Sequence, residues 1–304
     1  MQQPLTQRPV GRFAPSPTGH LHFGSLLAAV ASLAQSRSAD GLWLVRIEDI
    51  DPPREVAGSA ERILADLRVF EMHSDQAVLR QSARTQAYHD AVDVLLARDL
   101  AYWCGCSRAD LPASGVYPGT CRAGLPLGRR PRAVRLKVDA EPIEFHDLVQ
   151  GAIRENLADT VGDFVIWRAD GLPAYQLAVV VDDAHQEITE VVRGADLLDS
   201  TARQIHLQRC LGLPTPRYAH HPVAVTANGG KLSKRLRSDP VACGSPARSI
   251  ATALRFLGQP CPQDLSLRDT WRWAVDHWHL ENVPRLRELP LPLEATARHG
   301  GFGL

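Results

Sequence analysis

The segment Asn228-Gly229-Gly230-Lys231-Leu232-Ser233-Lys234-Arg235 carries two lysines three residues apart on a glycine-containing loop. Lysine is a compact, strongly hydrated point charge, suited to a phosphate chain whose charge shifts during reaction. Near the other end, Pro15-Ser16-Pro17-Thr18-Gly19 leads into His22-Phe23-Gly24-Ser25, just ahead of Leu26, Leu27, Val30 and Leu33 at helical spacing. A helix starting there points free amides and its positive dipole end at an anion, and His22 can donate to the same oxygens. A third cluster is Cys104-Gly105-Cys106 followed by Cys121. Three thiolates and one further ligand make a tetrahedral zinc site, although the first pair is spaced more tightly than the usual gap of two to four residues. Chemistry alone favours Asp110 or a distant histidine as the fourth ligand, and three reduced structural cysteines are the plain alternative.

These residues need elements to hold them. At 304 residues the chain is long enough for one large domain with an insertion, or for two domains. Val10 to Ala14 and Leu42 to Ile47 read as strands, with helices marked by Leu26 to Leu33, Ile63 to Phe70 and Tyr88 to Leu96. Strands alternating with helices predict a parallel sheet, which binds ligands beyond the carboxyl ends of its strands. The loops carrying Pro15 to His22 and Glu48 to Asp51 lie there. Past Leu100 the punctuation changes to Cys, Gly and Pro, with short strand-like runs at Val134 to Val138 and Phe164 to Arg168, predicting an inserted subdomain. The alternation resumes with a buried strand over Tyr175 to Val181, another at Glu190 to Arg193 and a helix from Thr201 to Leu211. Three tryptophans at 271, 273 and 278 mark a small helical end. The expected organisation is therefore 8–99 and 173–240 as two halves of an α/β nucleotide-binding unit, 100–172 as the insert, and 241–304 as a helical C-terminal region.

Composition narrows the class. Hydrophobic residues make up 44% and charged residues 22%, and no apolar run approaches the roughly 20 residues that span a bilayer. The first residues, Met1 to Arg8, have no apolar stretch behind their charge, so a cytoplasmic protein with no membrane partner is expected. Lys plus Arg and Asp plus Glu both number 34, so total charge neither demands nor excludes a nucleic acid. Locally, Arg203, Arg209, Arg217, Lys231, Lys234, Arg235 and Arg237 fall between Ser200 and Ser238 without one acidic residue. Such a stretch can face phosphates or simply form a solvated surface.

Arg12-Phe13-Ala14-Pro15-Ser16-Pro17-Thr18-Gly19 with His22-Phe23-Gly24-Ser25 resembles the glutamyl-tRNA synthetases and their close relatives in class I. Lys231 to Arg235 resembles the mobile lysine loop of that class, and Tyr175 to Asp183 its second-half strand. Two positions depart from the usual pattern: Ser25 stands where a second histidine is common, and Arg235 where a serine is. The resemblance implies a Rossmann-type class I synthetase catalytic domain with an inserted zinc-binding subdomain and a small helical C-terminal part. It implies that ATP, taken with Mg²⁺, is bound by His22, Gly24, Lys231 and Lys234, with Gly24 admitting adenine and ribose to the backbone. Lys234 and His22 would be the catalytic groups acting on phosphate charge. L-Glutamate would be held by Arg12 and the Tyr175 hydroxyl at its side-chain carboxylate, Glu48 at its ammonium and Arg193 at its main-chain carboxylate. Phe13, Ala14, Pro15 and Ser16 would complete that pocket. Singly, Arg12 and Arg193 would pass for surface ion pairs and Tyr175 for a core residue.

Only 67 residues follow Arg237, too few for the helical module with which a glutamyl-tRNA synthetase reads the anticodon. The likeness is therefore to the shortened branch of the family, which attaches glutamate to the queuosine base in the anticodon of tRNA(Asp) after activating it without tRNA. That branch nominates Tyr117 as the fourth ligand, with Cys104, Cys106 and Cys121, of one structural Zn²⁺ per chain. A monomer is expected. The competing readings are a truncated glutamyl- or glutaminyl-tRNA synthetase charging a tRNA 3′ end, and a non-catalytic amino-acid or RNA sensor of the same fold.

Overall fold

The computed structural model describes residues 8–226 and 245–291. The chain runs β1 (Val10–Phe13), α1 (Phe23–Ser38), β2 (Leu42–Ile47), α2 (Ser59–Val69), β3 (Leu79–Arg80) and α3 (Thr85–Ala97). It continues through β4 (Ala101–Cys104), β5 (Ala133–Leu136), β6 (Ile143–Asp147), β7 (Gly151–Glu155), α4 (Leu157–Thr160) and β8 (Phe164–Trp167). Then come α5 (Tyr175–His185), β9 (Glu190–Gly194), α6 (Leu198–Leu211), β10 (Arg217–His221), β11 (Val223–Val225), α7 (Pro246–Phe256), α8 (Leu267–Asp276) and β12 (Glu288–Pro290).

β1, β2 and β3 pair in parallel, and so do β9, β10 and β6. The two groups meet where the amide of Thr189 donates to the Val10 carbonyl (2.9 Å) and the amide of Val10 to Thr189 Oγ1 (2.8 Å). The alternation of a pleated strand sends Phe13, Trp43 and Val45 to one face, among residues of α1, α2, α7 and α8. Val10 and Leu44 go to the other, among residues of α3, α5 and α6. The result is a three-layer α/β unit, as expected. The tryptophans tie its end down: Trp271 Nε1 donates to the Phe70 carbonyl (2.8 Å) and Trp278 Nε1 to Gln35 Oε1 (2.6 Å).

Two features differ from the sequence reading. Tyr175 to Val181 is helix α5, not a strand. The run is apolar without interruption because Gln176 through Val180 are all buried between sheet and neighbouring helices, so the amphipathic period that marks a surface helix is absent. The hairpin β6–β7, within the inserted stretch, is hydrogen-bonded to β10, with Asp147 opposite Tyr218. The rest of that stretch forms a separate antiparallel sheet in the order β4-β5-β8. Among the described residues no helix is long and apolar enough to cross a membrane.

Candidate active site

The carboxyl ends of β1, β2 and β9 deliver Arg12, Glu48 and Arg193 to one region, each 7% exposed or less. Tyr175, first residue of α5, sits among them: burial pushes its phenol up, and Arg193, Glu48, Arg12 and Asp183 all act on it electrostatically. The structure thus brings together all four polar residues expected to receive an amino acid. Phe13 stacks on Trp43 at 6.4 Å between centroids and belongs to the core, so only its backbone can face a ligand. Pro15 accepts from the Glu48 amide (3.0 Å), which ties the first loop to the end of β2, while Ala14 is half-buried and Ser16 exposed.

A buried carboxylate, Asp183 on α5, organises this cluster. Arg12 donates to it through Nε (3.2 Å) and Nη2 (3.4 Å), and Arg46 through Nη1 (2.7 Å). Burial alone would push Asp183 up, but Arg12 and Arg46 outweigh it and hold the carboxyl below its ordinary value. Arg46 also reaches Gln186 Oε1 (2.8 Å) and Glu48 Oε1 (3.3 Å). Glu48 goes the other way: burial dominates, and its carboxyl is raised. The sequence reading passed over Asp183 and Arg46. Arg46 stands two residues before Glu48, but Asp183 is 137 positions away, so no local spacing marks the pair.

Arg193 is held differently. Its Nε donates to His220 Nε2 (2.9 Å) and its Nη2 to Thr201 Oγ1 (2.9 Å) and the Leu197 carbonyl (3.4 Å). Its Nη1 is buried without a hydrogen-bond partner among the described residues. Behind His220, Asp147 Oδ2 lies 2.5 Å from Nδ1. Burial drives the His220 imidazole down to about 4, so the ring is neutral near pH 7. Burial opposes ionisation of Asp147 too, but His220 and the amides of Gln150 and His220 hold its carboxyl below the ordinary value.

His22 caps α1, its Nδ1 accepting from the Ser25 amide (3.2 Å) with Ser25 Oγ 3.1 Å from Nε2. A side chain at Gly24 would place its Cβ 3.2 Å from the His22 ring, so glycine gives the imidazole room to fold over the helix end. Lys231 and Lys234 lie outside the described residues. Of the basic stretch, Arg217 pairs with Glu190 (2.5 Å) and Arg203 donates to Ser200 Oγ (3.3 Å).

Cys104, Cys106 and Cys121 are buried, with all three sulfurs within 4.8 Å of one another. Cys106 Sγ lies 3.7 Å from Cys121 Sγ, and the Tyr117 hydroxyl is 3.4 Å from Cys104 Sγ and 3.6 Å from Cys106 Sγ. Tetrahedral zinc, with Zn–S of about 2.3 Å and Zn–O of about 2.1 Å, sets S···S edges near ~3.8 Å and S···O edges near ~3.6 Å. The donor set fits such an ion. Asp110, the alternative ligand, is engaged by Arg129 (2.8 Å) and by the Ser107 amide (2.8 Å). Gly162, at φ +69, lets the chain ahead of β8 bridge to Tyr117: a Cβ there would lie 2.3 Å from the Tyr117 carbonyl oxygen.

A family model described as "tRNA synthetases class I (E and Q), catalytic domain" matches residues 10–114 and 128–245. The chain belongs to this family. The match leaves out residues 115–127, the loop that carries Tyr117 and Cys121. Among curated proteins the chain is 52% identical over 299 residues to the glutamyl-Q tRNA(Asp) synthetase of Aromatoleum aromaticum, covering 95% of each chain. It is 52% identical over 294 residues to that of Dechloromonas aromatica, covering 93% of this chain and 98% of the relative. For the Pseudomonas aeruginosa protein of that name the identity is 51% over 291 residues, covering 94% and 99%. A solved glutamate tRNA ligase from Elizabethkingia meningosepticum, in complex with its amino acid, superposes with a TM-score of 0.80 at 26% identity. It covers 95% of this chain and 68% of its own.

Proposed function

We propose that this chain activates L-glutamate with ATP and transfers the glutamyl group to the queuosine base of tRNA(Asp). The observation that carries the glutamate reading is the set of buried Arg12, Glu48 and Arg193 with half-buried Tyr175 among them, in which Arg193 keeps Nη1 without a hydrogen-bond partner among the described residues. A buried guanidinium favours a carboxylate, and among the described residues Arg193 meets none directly. The main-chain carboxylate of glutamate takes Arg193, its ammonium takes Glu48, and its side-chain carboxylate takes Arg12 and the Tyr175 hydroxyl. The queuosine acceptor is supported by relatives of that printed activity, matched at about half identity over 95% of both chains in the first case.

In the first step the main-chain carboxylate attacks the α-phosphorus of MgATP, forming glutamyl-adenylate and expelling pyrophosphate. His22 and the amides at the start of α1 stabilise the charge that develops on phosphate, and the motif assigns Lys231 and Lys234 to the same task. In the second step a hydroxyl of the queuosine cyclopentene ring attacks the acyl carbon and AMP leaves. No protein nucleophile is needed; positioning and charge stabilisation suffice. Cys104, Cys106 and Cys121 as thiolates, with Tyr117, would hold a redox-inert Zn²⁺ that would brace the loop between β4 and β5. The destination of radiolabelled glutamate tests the proposal. Label on queuosine-containing tRNA(Asp), absent from the same tRNA lacking queuosine, is expected; label at the 3′ end of tRNA(Glu) would overturn it.

A further inference from the structure

Arg193 is a buried cation that, among the described residues, reaches a carboxylate only through another side chain. His220 fills the gap, touching Arg193 through Nε2 (2.9 Å) and Asp147 through Nδ1 (2.5 Å). An ionised carboxylate cannot donate, and an arginine N–H cannot accept. Nδ1 must therefore carry the ring proton and Nε2 must be bare. The ring passes on orientation without cancelling charge: the guanidinium is fixed at Nε by His220 and at Nη2 by Thr201, while Nη1 stays without a partner among the described residues. A carboxylate set directly against Arg193 would bury it at lower cost, but would compete with any anionic ligand.

We infer that Asp147 and His220 are positioning residues for amino-acid binding, holding Arg193 turned but un-neutralised so that the main-chain carboxylate of the substrate becomes its first direct counter-ion. This rests on the assignment of Arg193 to that carboxylate made above. Asp147 arrives on β6, from the stretch between the two halves of the nucleotide-binding unit, so the inserted chain reaches into substrate recognition.

Asp147→Asn is a sharp test because Oδ1 remains an acceptor for the amides of Val149 (3.0 Å), Gln150 (2.8 Å) and His220 (3.2 Å). Only Oδ2 changes, becoming an N–H donor. His220 must then accept at Nδ1, its proton moves to Nε2, and that proton meets the Arg193 Nε–H. In glutamate-dependent pyrophosphate exchange, KM for glutamate should rise about tenfold to a hundredfold, the size of one hydrogen bond to a charged group. The kcat should fall by much less, and KM for ATP and the thermal midpoint should stay near wild type. Adding His220→Gln offers Arg193 an amide oxygen again and should lower KM for glutamate. An unchanged KM in Asp147→Asn, or no recovery in the double variant, overturns the inference. The ¹⁵N shifts of His220 give a readout independent of turnover: a wild-type ring protonated at Nε2 also overturns it, and one protonated at Nδ1 supports it. Absence of any glutamate-dependent exchange in the wild type would instead sink the functional reading, leaving the ring tautomer to decide the relay.

Discussion

At the carboxyl ends of β1, β2 and β9 the protein buries guanidinium groups, whereas beside β4 it buries thiols and a phenol. The first place mixes guanidinium groups with the carboxylates of Glu48 and Asp183, whereas the second gathers electron-rich sulfurs and an oxygen that suit a cation. In the cleft Arg193 meets no carboxylate directly among the described residues. In the cysteine cluster the electron-rich atoms converge, and Arg129 and Arg135 already donate to Cys106 Sγ (3.2 Å) and Cys104 Sγ (3.4 Å). The cleft is preorganised by a rigid parallel sheet that keeps its shape without a ligand. The cluster hangs on a loop of short turns, whose shape an ion held there would fix. Ligand loss should therefore cost activity in one place and stability in the other.

Removing Arg193 tests the first half most severely. Arg193→Ala should lower kcat/KM for glutamate by about a hundredfold or more, since breaking a buried charge pair costs about 3–5 kcal/mol. Metal content, measured by atomic absorption, should not change. Equal loss of bound metal would show that the two sites are not independent.

Stripping the ion tests the second half. Purified protein should contain one zinc per chain, and Cys121→Ser or a strong chelator should remove it. The thermal midpoint should fall by about 10 °C, from roughly 4 kcal/mol of lost ligand stabilisation at 2–4 °C per kcal/mol. Pyrophosphate exchange below the new midpoint should stay within about twofold. A collapse of exchange at a temperature where the chain is still folded would place the cluster in the chemistry instead.

The smallest effect belongs to Glu48. Its carboxyl is raised by burial, so it ionises later than an exposed glutamate, whose pKa is about 4.3. As pH falls through the raised value, Glu48 takes up a proton and the substrate ammonium loses its partner, so KM for glutamate should climb while KM for ATP holds. Stability runs in the opposite sense: the folded chain holds this proton more tightly than the unfolded chain, so the contribution of Glu48 to stability declines as pH rises. A glutamate KM that is flat down to the pKa of an exposed carboxyl would remove Glu48 from the ammonium.

The parts of the fold that the sequence displays are those with a clear period or an unusual residue. The strands at Val10 and Leu42, the helices of the first half and the cysteine trio were visible because pattern and residue type are local properties. Helix α5 misled because burial on nearly every side erased its polar stripe, leaving a run that suits a strand equally well. Asp147, His220, Asp183 and Arg46 were overlooked for another reason. Their importance lies in whom they meet, across 73 positions for Asp147 and His220 and 137 for Arg46 and Asp183, and no spacing in a single chain encodes that. The lysine loop is the reverse case, prominent as a motif yet outside the described residues.

The hairpin β6–β7 changes what it would mean to transplant the cysteine-bearing segment between relatives. A graft cut at residues 100 and 172 would carry off the strand that edges β10 and, with it, the carboxylate behind His220. Cuts drawn after β4 and before β5, between Cys104 and Ala133, would exchange the loop that carries Cys106, Tyr117 and Cys121 and leave the β6–β7 hairpin, with Asp147, in place.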